Sequence, residues 1–268
     1  MFELSTVFDC PSPVALITGS GAPRVGRTIA EHFASLGCRI ALHANRSVDE
    51  ANQVASKLHR DHGSEVLVTH GSLQDESVPA RIVAESQQRF GRLDILVNSA
   101  AIWSPTPLAD VTASEMRRYF EINTIGSFLA ARAAADIMAA QPAGGSIINL
   151  GDWATVRPYL QHSAYFPSKG AVEVMTRSLA VEFAQLNRKI RVNCIQPGPV
   201  LLADDVDEDK RVRLAQSTLV GELGSAEAVA HAAQFLCENP FVTGICLPVD
   251  GGRQVFSPDG LQAGLNTG

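Results

Sequence analysis

A tyrosine and a lysine four residues apart are the most informative pair in the chain. Tyr165 and Lys169 have the spacing that places two side chains on one face of a helix, about one turn apart. An ammonium beside a phenol stabilises the phenolate, so we expect Lys169 to lower the pKa of Tyr165 from its usual ~10. Tyr165 is therefore a candidate proton donor near neutral pH. An ordinary surface helix can carry the same spacing, so the pair needs support from the rest of the chain.

Short apolar runs alternate with helical patterns along the chain and predict the elements that position this pair. Seven runs have the near-continuous apolar character of buried parallel strands: 14–18, 38–43, 65–69, 93–97, 146–150, 190–195 and 244–249. This alternation predicts an α/β fold, a single Rossmann-type doubly wound parallel sheet of about seven strands with helices on both faces. We expect one domain over 1–268, with its core at about 13–252 and flexible segments at 1–12 and 253–268.

The overall composition indicates a globular protein and argues against several kinds of partner. The 268 residues are 46% apolar and carry a net charge of −6, so we expect no nucleic-acid partner. No apolar run approaches the ~20 residues of a membrane helix, and no signal peptide is recognisable, so we expect no membrane partner. Five scattered cysteines without a Cys-x-x-Cys pair favour a reducing compartment, the cytoplasm, and argue against a zinc site. We expect no bound metal.

A glycine-rich turn at 18–26 lies between the first predicted strand and its helix. Glycines allow a tight turn and close backbone approach, and the helix N-terminus offers free N–H groups to a pyrophosphate. We therefore expect a dinucleotide at this turn, with contacts from Gly19, Arg24, Val25 and Gly26. The alternative is an ordinary glycine-rich turn between a strand and a helix.

The end of the second predicted strand indicates which dinucleotide is used. NAD-binding proteins usually carry an acid there for the ribose hydroxyls, whereas this chain has His43, Arg46 and Ser47 and no acid. Arg46 and Ser47, backed by Arg24, can hold a ribose phosphate through charge-assisted hydrogen bonds. The predicted cofactor is NADPH. If Arg46 is only a solvated residue before a helix, this preference disappears.

In these features the chain resembles the classical short-chain dehydrogenase/reductases over about residues 13–252. The motifs that carry the resemblance are the glycine turn, the tyrosine–lysine pair, Asn98-Ser99-Ala100-Ala101, Asn123, Pro197-Gly198 and Val249-Asp250-Gly251-Gly252. The resemblance implies that Tyr165 donates the proton, while Lys169 lowers its pKa and holds the nicotinamide ribose. It also implies that Asn123 supports a water leading to Lys169.

The same resemblance implies further cofactor contacts and an assembly. The segment from Asn98 to Ala100 would line the adenosine side, and Pro197 with Gly198 would cover the nicotinamide. Ser72 and Leu73 stand where many members carry Asp-Leu near the adenine, so this contact has one changed residue. Homotetramers are common in the family, and we expect one here.

One departure from the family concerns the substrate. The family's usual serine, thirteen residues before the tyrosine, is Asp152 here, and an ionised carboxylate cannot donate to a carbonyl. An aspartate at this place resembles the pteridine reductases and the dihydromonapterin or dihydrofolate reductases, as does Trp103 before Pro-Thr-Pro-Leu. The resemblance implies that Trp103 sandwiches a pterin against the nicotinamide, unless it is a core or interface aromatic. Asp152 would accept from the aminopyrimidine edge or share a proton with Tyr165, unless it only caps a loop.

Two loops carry further candidates. Trp153, Tyr159 and His162 fall between the fifth strand and the Tyr165 helix, where they line the substrate site or pack on the surface. A dense acidic run at 204–209 reads as a solvated loop that would discourage a carboxylate-rich substrate tail.

Three functional hypotheses remain open. The first is an NADPH-dependent oxidoreductase that reduces a C=N bond of a dihydropterin or dihydrofolate. The second is a carbonyl or 3-ketoacyl reductase of the same fold, in which Asp152 replaces serine. The third is a weakly catalytic NADPH-binding scaffold or regulator. The presence of Asn123, Tyr165 and Lys169 argues against the third hypothesis, because a pure binder needs no proton donor.

Overall fold

Seven strands pair in parallel and form one sheet in the order β3-β2-β1-β4-β5-β6-β7. The structure is a computed structural model that describes residues 3–201 and 207–256. The strands are β1 Val14–Ile17, β2 Arg39–Ala44, β3 Val66–His70, β4 Ile95–Asn98, β5 Gly145–Leu150, β6 Ile190–Pro197 and β7 Cys246–Val249. β1 lies between β2 and β4, so the carboxyl ends of β1 and β4 flank the switch point where α/β sheets bind ligands. The predicted doubly wound parallel sheet is confirmed.

Helices cover both faces of this sheet. They are α1 Leu4–Val7, α2 Val25–Ser35, α3 Val48–His62, α4 Ser77–Phe90, α5 Ala113–Tyr119, α6 Gly126–Ala139, α7 Tyr165–Leu186, α8 Glu208–Gln216 and α9 Ala226–Glu238. β6 continues beyond its predicted end at 195, because Pro197 still pairs with Val249 of β7. In the described part of the chain, no helix combines the length and the apolarity needed to span a bilayer.

Alternate residues of each strand point to opposite faces of the sheet, which explains the two clusters of the core. Ala15 and Ile17 of β1 belong to a cluster that includes side chains of α2 and α9, whereas Val14 and Leu16 belong to a cluster with side chains of α4 and α6. Each fully buried aliphatic side chain contributes about 1.5–3 kcal/mol relative to an exposed one. Because helices cover both faces, the strands are mostly apolar, as the sequence pattern indicates.

The first residues of the chain are part of the core. α1 packs against α9, and Leu4 and Phe8 are buried in the cluster that contains α2. Nη2 of Arg92 donates to the carbonyl of Phe8 at 2.8 Å. The prediction of a flexible segment at 1–12 is wrong for the described residues of that segment, because two apolar side chains anchor it.

At the other end of the chain, Arg157 holds the start of the predicted flexible tail. Its Nη1 donates to the carbonyl of Arg253 at 2.9 Å and to the carbonyl of Phe256. The prediction is therefore wrong for 253–256, and residues 257–268 lie outside the described residues. The predicted acidic loop at 204–209 lies outside them up to residue 206, while Asp207 caps α8 by accepting from the N–H of Lys210 at 2.6 Å.

Candidate active site

Asp152 and Tyr165 meet beyond the carboxyl end of β5. The hydroxyl of Tyr165 donates to Oδ2 of Asp152 at 2.7 Å, and Tyr165 is only 5% exposed. The other carboxylate oxygen, Oδ1, accepts from the N–H of Ala154 at 2.8 Å and so caps a single 3₁₀ turn at Trp153–Thr155. One oxygen of Asp152 therefore caps the loop while the other accepts from the candidate proton donor, and its role toward a substrate stays a prediction.

The expected effect of Lys169 on Tyr165 is wrong for this structure. Burial raises the pKa of Tyr165 well above 10, and the charge and hydrogen bond of Asp152 raise it further. Nζ of Lys169 donates instead to the carbonyl of Leu150 at 2.7 Å, and burial lowers the pKa of this amine. The phenol is therefore held in its protonated form, with the carboxylate as its partner.

Asn123 joins three segments of the site. It lies in a turn of π-helix, Phe120–Ile125, that separates α5 from α6, a feature often found at functional sites. Its Nδ2 donates to Oγ of Ser168 at 3.0 Å, and its Oδ1 accepts from the N–H of Ile102 at 2.9 Å. The side chain is 1% exposed. Asn123 thus connects α7 with the loop that carries Trp103, and its support of a water that leads to Lys169 stays a prediction.

Trp103 belongs to an aromatic group. Its ring stacks on His162 at 4.8 Å between centroids, and its Nε1 donates to the hydroxyl of Tyr159 at 3.3 Å. Tyr159 in turn meets the ring of Phe166 edge-on at 4.9 Å. The indole still lines a cleft of about 230 Å³ and is 52% exposed, so it remains accessible to a ligand. The other walls of the cleft are Arg24, Ala101, Ile102, Ser104, Glu115, Arg118 and Tyr119.

The glycine turn is built so that side chains are excluded. Gly19 has φ of +68°, and an added Cβ there would lie 2.7 Å from the Cα of Ala100. A Cβ on Gly21 would lie 2.6 Å from the carbonyl oxygen of Ser47, and one on Gly26 would lie 2.7 Å from Oγ of Ser99. Gly21 was missing from the predicted contacts, although its place in the glycine motif was a usable signal. The turn thus leaves backbone close to the N-terminus of α2, which fits a pyrophosphate.

His43 supports this turn from behind. The N–H of Gly19 donates to Nδ1 of His43 at 3.3 Å, so Nε2 carries the proton that is donated to the carbonyl of Gly71 at 3.0 Å. The ring is 1% exposed, and burial lowers its pKa to about 4. Both ring nitrogens of His43 have backbone partners, so its contact with the cofactor, which stays a prediction, would not use these atoms. A neutral histidine positions the turn.

The residues expected at a ribose phosphate lie in different surroundings. Arg46 is exposed just after β2, and Ser47 packs against Gly21. Arg24 precedes α2, next to Val25, and its side chain lines the Trp103 cleft. Arg46 and Ser47 therefore remain candidate phosphate contacts, whereas Arg24 is placed to reach the substrate side.

Of the remaining residues predicted to contact the cofactor, some have buried side chains and others keep an accessible backbone. Nδ2 of Asn98 donates to Oδ1 of Asn149 at 2.9 Å, and Asn149 donates to Oγ1 of Thr176 at 2.9 Å, so Asn98 points into the interior. Leu73 is also buried and packs against Gly126. Only the main chain at these two positions can face a cofactor.

Three of the predicted segments keep their backbone near the surface. The N–H of Ala100 donates to Oγ1 of Thr18 at 3.0 Å, which fixes the β4 loop against the glycine turn. Ser72 is partly exposed beside Leu73. The Pro197-Gly198 turn is held by a bond from the N–H of Gly198 to the carbonyl of Val249 at 2.9 Å. All three lie after the carboxyl ends of strands, as a cofactor-binding edge requires.

Comparison with known proteins identifies the family. A protein-family model described as enoyl-(acyl carrier protein) reductase matches residues 22–254. The chain belongs to the short-chain dehydrogenase/reductase family. This family uses a nicotinamide cofactor, and the side-chain-free glycine turn fits such a group. The chain is thus an oxidoreductase.

Two relatives of this short-chain dehydrogenase/reductase have different substrates in their names. The 3-oxoacyl-[acyl-carrier-protein] reductase of Homo sapiens is 34% identical over 237 residues, which cover 88% of this chain and 96% of the relative. Pteridine reductase 1 of Leishmania tarentolae is 33% identical over 283 residues, covering 90% of this chain and 96% of the relative. A crystal structure from Sinorhizobium meliloti, provisionally described as a short-chain alcohol dehydrogenase, has a TM-score of 0.83 at 30% identity and covers 92% of this chain and 98% of its own.

Proposed function

We propose that this enzyme is an NADPH-dependent reductase of the pteridine reductase type, which reduces a C=N bond of a dihydropterin or dihydrofolate. The observation that carries the proposal is the 2.7 Å hydrogen bond between Tyr165 and Asp152. A carboxylate at this place can accept N–H groups from an aminopyrimidine but cannot donate to a ketone. The substrate class follows from that difference.

The hydrogen bond also constrains how the proton moves. A phenolate that forms beside an ionised Asp152 is destabilised by the adjacent negative charge, in line with the raised pKa of Tyr165. Substrate N–H groups that donate to Asp152 would offset this charge and weaken the bond to Tyr165. The phenol proton then becomes available to the ring nitrogen of the C=N bond. NADPH supplies the hydride to the carbon of that bond when it is bound.

Two further features support a flat, polar substrate. Trp103 presents a half-exposed indole to the cleft, and stacking on an aromatic ring contributes about 0.5–1.5 kcal/mol beyond the buried area. Arg24 places donors on the wall of the same cleft, where they can reach a carbonyl oxygen of a pterin. A pterin offers both a ring face and such an oxygen.

NADPH is proposed over NADH because of the residues after β2. Arg46 is exposed and Ser47 closes on Gly21, so a guanidinium and a hydroxyl lie beside the glycine turn. The Ser47 hydroxyl is the group that lies against Gly21, and the exposed Arg46 adjoins it in sequence, so the two residues suit a ribose phosphate. The seven residues from Ala41 to Ser47 contain no carboxylate that would repel such a phosphate.

The proposal extends to the assembly and its compartment. Apolar side chains lie exposed on α6 and α7, including Phe128, Val174 and Val181, which supports a homotetramer that buries these helices. All five cysteines are free thiols, in keeping with a reducing compartment such as the cytoplasm.

Reduction of a 3-oxoacyl thioester is the second candidate function. It is favoured by the identity of 34% with the human 3-oxoacyl-[acyl-carrier-protein] reductase. The tyrosine and lysine that such a reaction needs are also present at Tyr165 and Lys169. Against it stands Asp152, whose ionised side chain would face the lone pairs of a ketone oxygen.

A direct test compares NADPH oxidation with dihydrobiopterin, dihydrofolate and an acetoacetyl thioester, using Tyr165→Phe as the blank. We expect turnover of a dihydropterin or dihydrofolate that vanishes in the variant while NADPH binding persists. Turnover of the thioester alone would replace our proposal by the second candidate. Tight NADPH binding without turnover of any of these substrates would leave a cofactor-binding scaffold.

A further inference from the structure

Two cysteines lie side by side on the last two strands of the sheet. Cys194 of β6 and Cys246 of β7 are register partners in this parallel pair. Neighbouring strands lie about 4.7–4.9 Å apart, within the range of Cα separations that disulfides span. Register partners in a sheet point to the same face, and the two thiols are close enough for each to shift the pKa of the other. Their sulfurs donate to the carbonyls of Ile195 and Glu173. A covalent bond between them needs no large movement of the backbone.

The two thiols differ in accessibility and in acidity. Cys246 is partly exposed, and Nη1 of Arg177 approaches its sulfur at 3.6 Å. The neighbouring Cys194 thiol and the nearby guanidinium lower the pKa of the Cys246 thiol. Cys194 is fully buried, and the neighbouring Cys246 thiol together with burial raises its pKa. This asymmetry matches an attacking thiolate at the surface with a second thiol behind it.

We propose that Cys194 and Cys246 form a reversible intramolecular disulfide on exposure to a peroxide, and that this bond lowers the activity of the enzyme. The Cys246 thiolate attacks one oxygen of hydrogen peroxide, which breaks the O–O bond and gives a sulfenic acid and hydroxide that becomes water. The sulfur of Cys194 then attacks the sulfenic sulfur, and the S–OH group leaves as water with the Cys194 proton. In the overall reaction each thiol loses one electron and one proton, and the peroxide is reduced to two waters.

The connection to the active site runs through the residue before Asp152. An added Cβ on Gly151 would lie 2.8 Å from Sγ of Cys194, so this sulfur packs directly against the backbone of Gly151. The N–H of Gly151 also donates to the carbonyl of Ile195 at 2.8 Å. A Cys194 sulfur drawn towards β7 no longer supports Gly151 in the same place. The position of Asp152, and with it the bond to Tyr165, is then altered.

The experiment treats the full chain with hydrogen peroxide, then counts free thiols and maps linked peptides, before and after dithiothreitol. We expect two thiols to disappear, a linked pair of peptides carrying Cys194 and Cys246, and a mass lower by two hydrogens. Cys194→Ser and Cys246→Ser should each abolish the linked pair. Cys10→Ser is the matched control and should keep it, because Cys10 is remote in sequence from both strands.

Only the expected loss of activity rests on the proposed function; the disulfide itself does not. Measurements of turnover and cofactor binding therefore distinguish a failure of this inference from a failure of the proposed function. We expect turnover to fall on the order of tenfold on oxidation and to return on reduction, because small displacements at a reacting group are costly. The linked peptides test the disulfide even if no pterin is turned over. Four results would each overturn the proposal. The thiol count could stay constant, a crosslink could join two chains, Cys246 alone could carry a sulfenic acid or a mixed disulfide, or the disulfide could form and leave turnover unchanged.

Discussion

Tyr165 and Asp152 form a hydrogen bond of 2.7 Å in which the phenol is the donor, while Lys169 binds the carbonyl of Leu150. The carboxylate, not the amine, is thus the immediate partner of the tyrosine. This arrangement keeps the proton on the phenol until another donor reaches Asp152. In the proposed function, substrate binding and proton release would be linked through this one side chain.

Replacing Asp152 tests this link. Asp152→Ser removes the charged acceptor, and we expect kcat/KM for a dihydropterin to fall by about 10²-fold, as when a residue of an acid–base pair is lost. Ketone reduction should stay equal or rise, since serine can donate to a carbonyl. Steady-state kinetics on both substrates give the answer.

Asp152→Asn serves as the control for loop structure. Its amide oxygen can still accept from the N–H of Ala154, so the 3₁₀ turn should persist without the negative charge. We expect Asp152→Asn to lose pterin turnover while it keeps NADPH binding. An unchanged pterin rate in both variants would remove Asp152 from the mechanism.

His43 predicts a specific dependence of stability on pH. Its folded-state pKa of about 4 lies below the ordinary 6.5, so the unfolded chain binds more protons between these values. The stabilisation is fully present above pH 6.5 and is lost as the pH falls towards 4. Between pH 7.5 and 5 we expect this group to remove about 2 kcal/mol from the free energy of unfolding.

Urea unfolding of the native protein and of His43→Asn at both pH values isolates this contribution. The variant should be less stable at pH 7.5 but should show a flatter dependence on pH. Equal slopes in the two proteins would mean that other groups carry the acid sensitivity.

Gly21→Ala should weaken cofactor binding without touching the substrate cleft. The new Cβ would clash with the Ser47 carbonyl at 2.6 Å, so the turn must shift away from β2. We expect the dissociation constant for NADPH, followed by fluorescence titration, to rise at least about tenfold, which corresponds to about 1.4 kcal/mol.

Gly170→Ala is the matched control for this glycine. It lies inside α7 with open space around the added Cβ, so the variant should be more stable by about 0.5–1 kcal/mol through its better helix propensity. NADPH affinity should be retained. A similar loss of affinity in both variants would show that glycine replacement acts generally rather than through Ser47.

Arg46→Ala tests the choice of dinucleotide. Loss of the guanidinium should raise the dissociation constant for NADPH by about 10–100-fold, the value of a charge-assisted hydrogen bond, while that for NADH changes little. Isothermal titration with both cofactors measures this ratio. Tighter binding of NADH than of NADPH by the native protein would contradict the cofactor assignment before any variant is made.

Trp103→Ala should raise KM for a dihydropterin by about tenfold, because about 1.4 kcal/mol of stacking and contact is lost. The half-exposed indole contributes less to folding than a core aromatic, so the melting temperature should move little. A large loss of stability with an unchanged KM would assign Trp103 to packing with His162 and Tyr159 alone.

The sheet could be predicted because both of its faces are buried. Strands such as Val14–Ile17 are apolar throughout, and the alternation with helices leaves few topologies. The meeting of Asp152 with Tyr165 was also predictable, because a family motif places them at a fixed spacing. What the spacing could not reveal is the partner of each group, which depends on side-chain rotamers and on burial.

His43 and Lys169 illustrate the limit. A histidine at the end of β2 reads as a ligand for a cofactor, and only the packing of Gly19 and Gly71 around it shows that both nitrogens are used. A lysine one turn from a tyrosine reads as its partner, and only the geometry reveals the carbonyl of Leu150. The anchoring of residues 4–10 was missed although Leu4, Val7 and Phe8 have the i, i+3, i+4 spacing of a helix, because one helical turn is too short for its pattern to stand out.

The π-helical turn at Phe120–Ile125 sets how α5 is rotated about the helix axis relative to α6. Each residue of an α-helix advances by about 100°, so one inserted residue turns everything before it to a new face. Tyr119 thereby faces Tyr165 edge-on at 6.1 Å, while Gly126 faces Leu73. A chain one residue shorter here would keep its helix but would point Tyr119 away from the reaction centre. The additional residue therefore determines which side chains of this helix face the candidate active site.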